Sequence, residues 1–237
     1  MKKFLAVVVI LLIAVGALIQ FAVPFVLKNY LRNTAATLTN AQKISLVMDS
    51  MPNAKISFGY VDDLHCTADN ATIGEIDFKQ VSLDGKTVHV DIMELISPTQ
   101  GISPQERTKR IVPSAESLSL SGLITEEALA NFIAEKVNHL KDPTVKMTPD
   151  GITASAKVKI LGREADVTIG GKIIARDGDL YFQMLSLNVE NAILRRVNLD
   201  KFFGDFNLTE KVRMPFGLQF SETEMREGET FVVAKRN

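Results

Sequence analysis

Phe4 to Leu27 is a run of 24 residues without one charged side chain, its apolar character relieved only by Gly16, Gln20 and Pro24. A helix rises about 1.5 Å per residue, so the run reaches about 36 Å, more than the roughly 30 Å of a bilayer's hydrocarbon layer. Residues 1–28 therefore read as a transmembrane helix that serves as an uncleaved signal-anchor. The competing reading is a cleaved signal peptide. Val15-Gly16-Ala17 offers the small residues a peptidase accepts, but cleavage there would leave Leu18 to Leu27 as an apolar new terminus. Lys2 and Lys3 before the run face Lys28 and Arg32 after it, so charge orients it only weakly. No second apolar run of sufficient length follows. The expected arrangement is a single pass through the cytoplasmic membrane, with residues 29–237 on the periplasmic or cell-envelope side.

The remainder has the balance of a folded domain. Hydrophobic residues make up 46% of the chain, which excludes a disordered composition. Without Lys2 and Lys3 the 27 basic residues fall to 25 against 28 acidic ones, so neither nucleic acid nor an anionic surface attracts the domain by net charge. Cys66 is the sole cysteine, which rules out an internal disulfide and a Cys-rich metal site. Apolar burial alone must hold the core.

Periodicity places the elements. From Asn29 to Ser50 apolar residues recur every three or four positions, which predicts a helix that Met51-Pro52-Asn53 stops. Strands are predicted over Ala54 to Tyr60, Glu75 to Leu83 and Thr87 to Leu95, with Asp84-Gly85 as a hairpin turn. Ser97 to Pro113 reads as an exposed loop or partial helix carrying Arg107, Lys109 and Arg110. After a strand over Glu116 to Leu123, Thr125 caps a helix whose apolar face is Ala128, Leu129, Phe132, Ile133, Val137 and Leu140, ended by Asp142-Pro143.

Beyond that the period becomes two. Ala154, Ala156, Val158 and Ile160 alternate with polar residues, Gly162 turns the chain, and alternation resumes from Ala165 to Ala175. Arg176-Asp177-Gly178-Asp179 predicts a hairpin. The alternation slips after Met184, and similar slips at Lys79-Gln80 and Ile92-Met93 predict bulges that bend the sheet. Leu199 to Phe206 reads as a short helix, Val212 to Phe220 as an edge strand holding Pro215 and Gly217, and Thr230 to Lys235 as the last strand. The expected fold is α+β: one long, curved antiparallel sheet of about nine strands wrapped around one or two helices. It divides by element order into halves at residues 29–112 and 113–237.

Several of these residues carry a family likeness. Thr125-Glu126-Glu127-Ala128-Leu129, Thr148-Pro149-Asp150-Gly151-Ile152, Gly162, Gly170-Gly171, Asp177-Gly178, Leu199-Asp200-Lys201, Met214-Pro215-Phe216-Gly217-Leu218 and Gly228 are spaced as in the bacterial LmeA-like phospholipid-binding family. The chain resembles that family over about Asn29 to Asn237, most closely after Leu123. The resemblance implies a tubular lipid-binding fold, an apolar groove for phospholipid in the cell envelope, and no catalytic centre.

The residues point the same way on their own. His65, His89 and His139 lie in separate segments, and no nucleophile elbow, zinc-helix motif or phosphate loop occurs. Asp62-Asp63-Leu64-His65-Cys66 is the one cluster with ligands and a nucleophile, and a polar turn is its simpler reading. No catalytic residue, metal or cofactor is expected. Some nine strands with one apolar face each offer more surface than two helices cover, and another sheet, another subunit or an acyl chain must meet the excess. The expected lining is Leu129, Phe132, Ile133, Val137, Phe202, Phe203, Phe206, Phe216, Leu218 and Phe220. The function so read is an anchored extracytoplasmic protein that shelters acyl chains and carries or presents lipid during envelope biogenesis. The alternative is a non-catalytic envelope scaffold with a dry core and a protein partner.

Overall fold

The computed structural model describes residues 23–73, 75–136, 140–160, 163–190, 205–209 and 214–236. The expected span up to Ala22, the turn at Gly162 and the helix expected from Leu199, apart from its end, lie outside these residues.

In chain order the elements are α1 (Val23–Thr39), β1 (Lys43–Asp49), a 3-10 turn (Asn53–Phe58), β2 (Tyr60–Ile73), β3 (Ile76–His89), α2 (Ile92–Ile96), α3 (Pro104–Ile111), β4 (Ser117–Thr125) and α4 (Glu126–Lys136). Then come β5 (Leu140–Thr148), β6 (Gly151–Ile160), β7 (Arg163–Arg176), β8 (Asp179–Val189), β9 (Phe206–Asn207), a 3-10 turn (Pro215–Gly217), β10 (Leu218–Arg226) and β11 (Glu229–Arg236). No helix of the described residues is long and apolar enough to cross a membrane.

Antiparallel strands dominate, as expected, but they form two sheets rather than one. The first has the order β1-β2-β3-β4-β11-β10 and the second β5-β6-β7-β8-β9. They meet where the Phe220 N–H donates to the Gly178 carbonyl at 3.0 Å, the single bridge between β10 and the β7–β8 turn. Ser221 is bulged out of β10 at that point, between the pairs Phe220 with Ala234 and Glu222 with Val233. A bulge bends its strand and sharpens the twist, so β10 leaves the second sheet after one bridge instead of extending it. Thr223 Oγ1 donates to the Ile173 carbonyl and the Gly228 N–H to that of Met147, which clamps the sheets together. One core of buried apolar side chains runs across both.

Four expectations give way to tertiary pairing. Lys43–Asp49 is strand β1 rather than helix, since Ile44, Leu46 and Met48 point inward when β1 pairs with β2. The stretch Ala54 to Tyr60 is mostly the first 3-10 turn, closed by Gly59 at φ 84°, where a Cβ would lie 2.1 Å from the Val90 oxygen. Asp84-Gly85 turns nothing: β3 runs straight through it with β2 on one side and β4 on the other, and two ladders outweigh one local turn signal. Of the strand expected over Thr87 to Leu95, Thr87 to His89 end β3, while Ile92 to Leu95, with the supposed slip at Ile92-Met93, lie in α2, capped by the Asp91 carboxylate.

Further along, α4 is described as far as Lys136, and Leu140, Asp142 and Pro143 belong to β5, the last two at a register shift. Pro215–Gly217 is a turn with Phe216 at φ 58° and Gly217 at φ 72°, so only Leu218 onward is strand; β10 is indeed an edge.

Other expectations are met. Thr125 caps α4, its Oγ1 accepting the Ala128 N–H at 3.2 Å. The hairpin at Asp177-Gly178 forms, and the slip after Met184 is a bulge: Gly170 faces Ser186 and Gly171 faces Met184, leaving Leu185 unpaired and exposed. The slip at Lys79-Gln80 lies beside Asn70 at φ 52°, and the inward set changes from Ile76 and Phe78 to Val81. The six-stranded sheet combines β1–β3 with β4, β10 and β11, so strands from both sequence halves share it.

Gly122 of β4 lies under the Phe78 ring, where a Cβ would come within 2.6 Å of Cδ1. Gly122→Ala is expected to cost about 1–3 kcal/mol through overpacking. Phe78→Leu should itself destabilise, yet recover part of that loss in the double variant. Urea denaturation of the three variants measures the coupling, and strict additivity would deny the contact.

Candidate functional site

Strand pairing decides which side chains share a face. In the first sheet Ile44, Leu46 and Met48 lie across from Ala68, Cys66 and Leu64, which in turn oppose Val81, Leu83 and Gly85. Helix α1 packs on β1 and β2, contributing the buried Leu27 and the half-buried Leu31 and Ala35, while α4 packs on β3, β4 and β5. Leu64, Cys66 and Leu83 stay half-buried although they point to the same side as fully buried neighbours.

The second sheet repeats the situation. Met147, Ile152, Ala154, Val167, Ile173, Phe182 and Val189 are buried on one face, and Thr153, Lys157, Asp166 and Lys172 are exposed on the other. Val145, Ile169, Met184 and Leu187 belong to the apolar face but are only half-buried. Among the described residues both sheets thus carry apolar side chains that the helices leave half-exposed. Such surface attracts apolar partners, since removing it from water yields about 25 cal/mol per Å².

The ten expected lining residues fall into three groups. Leu129 and Phe132 of α4 and Leu218 and Phe220 of β10 are buried within the shared core. Ile133 of α4, Phe206 of β9 and Phe216 of the second 3-10 turn are half-buried against that same core. Val137, Phe202 and Phe203 lie outside the described residues. The seven described residues therefore join one apolar cluster, and Ile133, Phe206 and Phe216 are its accessible members.

The polar cluster is strand rather than turn, and alternation takes it apart. Leu64 and Cys66 point to the apolar face, whereas Asp63 and His65 are exposed on the other. Asp63 pairs with Lys86, and His65 Nδ1 lies 2.5 Å from Asp84 Oδ1. Burial pushes the Cys66 thiol up, which keeps it protonated, and strand alternation turns it to the face opposite His65. Among the described residues no group of three or more His, Cys, Asp or Glu side chains is placed to hold a metal.

Asp62 has a structural task. The Met51 N–H donates to its Oδ2 at 2.9 Å and Lys55 Nζ to both oxygens, at 3.2 and 3.0 Å. These donors, the backbone N–H foremost, hold its carboxyl below its ordinary value. The bonds close one wall of a concavity of about 670 Å³ between α1, β1 and the first 3-10 turn, lined by Phe25, Lys28, Met48, Met51 and Ile56 among others. Sequence reasoning did not locate it, because α1 and β1 were read as one helix; the apolar Met48 and Met51 flanking Ser50 were the available signal. A second concavity, about 470 Å³ between α3 and the β7–β8 turn, is lined by Glu106, Lys109, Asp177 and Asp179. Of the three basic residues flagged there, Arg110 pairs with Glu106, and Arg107 donates to the Thr99 carbonyl.

Comparisons with protein-family models, with curated proteins and with solved structures find no significant match to this chain.

The depressed Asp62 carboxyl contributes stability that is fully present above an ordinary aspartate value near about 4 and disappears as pH falls through its lower native value. Asp62→Asn should therefore lower Tm at pH 7, with the gap to wild type closing in strong acid. Thermal denaturation across pH 2–7 checks this; a constant gap would show that the charge is not the cause.

Proposed function

We propose that the chain is a membrane-anchored lipid-binding protein whose folded part shelters phospholipid acyl chains against the uncovered apolar faces of its sheets. One observation carries the reading: half-buried apolar side chains on both sheets, Leu64 and Leu83 on the first and Ile169 and Met184 on the second, continue faces whose other members are fully buried. Acyl chains match such a lining, which needs shape and apolarity and few polar anchors. The apolar run from Phe4 supplies an anchor, and the resemblance to LmeA-like proteins supports an envelope setting in which lipid is carried or presented. In this reading Ile133, Phe206 and Phe216 are the accessible edge of the lipid site, while Leu129, Phe132, Leu218 and Phe220 form its floor.

A second reading, a scaffold with a dry core, has one observation in its favour. Leu129, Leu218 and Phe220 are already 1–3% exposed, satisfied by protein alone.

The two readings separate in liposomes. The full chain is reconstituted with a phospholipid bearing a photoreactive group at its acyl terminus, and the adducts are mapped by mass spectrometry. Lipid binding predicts adducts on peptides containing Ile133, Phe206 or Phe216; adducts confined to the Phe4–Leu27 run would leave only the scaffold. Losing one Ile contact with an acyl chain costs about 1.5–3 kcal/mol, so Ile133→Asp should reduce labelling about tenfold or more while circular dichroism stays unchanged.

A further inference from the structure

Exposed apolar side chains gather at one end of the molecule. Seven large ones are exposed among the described residues, and five of them, Phe25, Met51, Phe58, Tyr60 and Met93, lie in segments that bond to or pack on one another. Phe25 and Met51 line the same concavity. The Met51 N–H is held by Asp62, the Ser50 hydroxyl donates to the Tyr60 carbonyl, and the Val90 N–H donates to the Gly59 carbonyl. The Tyr60 ring stacks on His89 with 4.7 Å between centroids, and Asp91, next along the chain, caps the helix that carries Met93. Hydrogen bonds and caps thus hold these segments in place, so the patch is preformed.

The position of this end relative to the apolar run identifies its partner. Helix α1 begins there, and its first turns dock on the domain: Pro24 is buried and Leu27 is 7% exposed. Burial removes both residues from any span, leaving Phe4 to Val23, which is 20 residues. Twenty residues make about 30 Å of helix, the thickness of the hydrocarbon layer. The membrane surface then falls at Phe25, which is 66% exposed, with Met51 (87%), Phe58 (64%) and Met93 (69%) on the neighbouring segments.

We infer that this end of the domain is a membrane-docking face: Phe25, Met51, Phe58 and Met93 insert into the headgroup and acyl boundary of the bilayer that the apolar run crosses. Aromatic and flexible apolar side chains suit that boundary, and shallow insertion of a few of them adds to an anchor already in place. The inference rests on the chain being membrane-anchored and is independent of whether the sheets hold lipid. Docking would set the domain at a fixed angle to the membrane rather than leave it tethered by α1 alone.

The chain contains no Trp, so a single introduced Trp reports its own surroundings without background. Phe58→Trp, Met93→Trp and, as a remote control on the bulge of β8, Leu185→Trp replace exposed side chains and leave the core untouched. Each full-length variant is reconstituted in phosphatidylcholine vesicles with and without brominated acyl chains. The docking face predicts blue-shifted emission and quenching by bromine at positions 58 and 93, with neither at 185. Unquenched, red emission at 58 and 93 would overturn it and place the domain clear of the bilayer. Equal quenching at all three positions would also overturn it, since contact would then not belong to this end. The acyl-terminus labelling described above can fail without altering any of these outcomes, and the reverse holds as well.

Discussion

The junction between Phe220 and Gly178 is the contact on which the architecture depends. Each sheet alone has one apolar face and insufficient helix to cover it, and a twisted sheet in that condition is unstable in water. One backbone hydrogen bond, from the Phe220 N–H to the Gly178 carbonyl, brings the edge of the first sheet to the β7–β8 turn of the second. Gly178 sits at φ 86°, a region that side-chain-bearing residues avoid, and Gln219 already occupies the space beside it. The Phe220 ring, 3% exposed, then fills the seam, and the clamps from Thr223 and Gly228 keep the sheets from hinging open.

Charge plays a secondary part. The ion pairs among the described residues lie on the outer faces with side chains between about one quarter and two thirds exposed, for example Lys79 with Glu229 and Lys141 with Glu164. Pairs of that kind contribute about 0–1 kcal/mol each, whereas burying one Leu or Phe contributes about 1.5–3 kcal/mol. Stability therefore resides in the apolar cluster that spans both sheets. The polar groups with a clear architectural effect are caps and ties: Asp91 and Ser103 at helix starts, Glu94 accepting two bonds from Thr99, and Asp62 holding the Met51 backbone.

The proposed function rests on how that apolar surface is distributed. The half-buried residues of the sheets are set inward, beside buried neighbours, and suit a ligand that slides between protein layers. The exposed residues around Phe25 and Met51 stand outward beside the first described turn of α1, and suit a surface into which they can sink. A protein that takes acyl chains from a bilayer must bring its groove to the membrane at a repeatable angle. The proposed docking face would supply that angle, and α1, which packs on the first 3-10 turn, β1 and β2, would tie it to the sheets.

Much of this was legible in the chain. Residues Ala154 to Val189 alternate so regularly that β6, β7 and β8, the Asp177-Gly178 turn and the bulge at Leu185 could be read directly, because period-two burial and turn chemistry are local. The Thr125 cap is local too, as is the apolarity of Phe4 to Leu27, and so is the character of the ten lining residues. Which of the seven described ones are buried and which half-buried was not legible, since burial depends on what lies across the core. Likewise Ile44 and Val47 satisfy a helical spacing, and only β2, arriving from some 20 residues downstream, makes that segment a strand. Asp84-Gly85 carries a turn signal that β4 overrules from the far side. Local order and polarity thus came from the sequence by itself; the division into two sheets, and the gathering of Phe25, Met51, Phe58 and Met93 at one end, came from long-range pairing, whose energy no short window of residues contains.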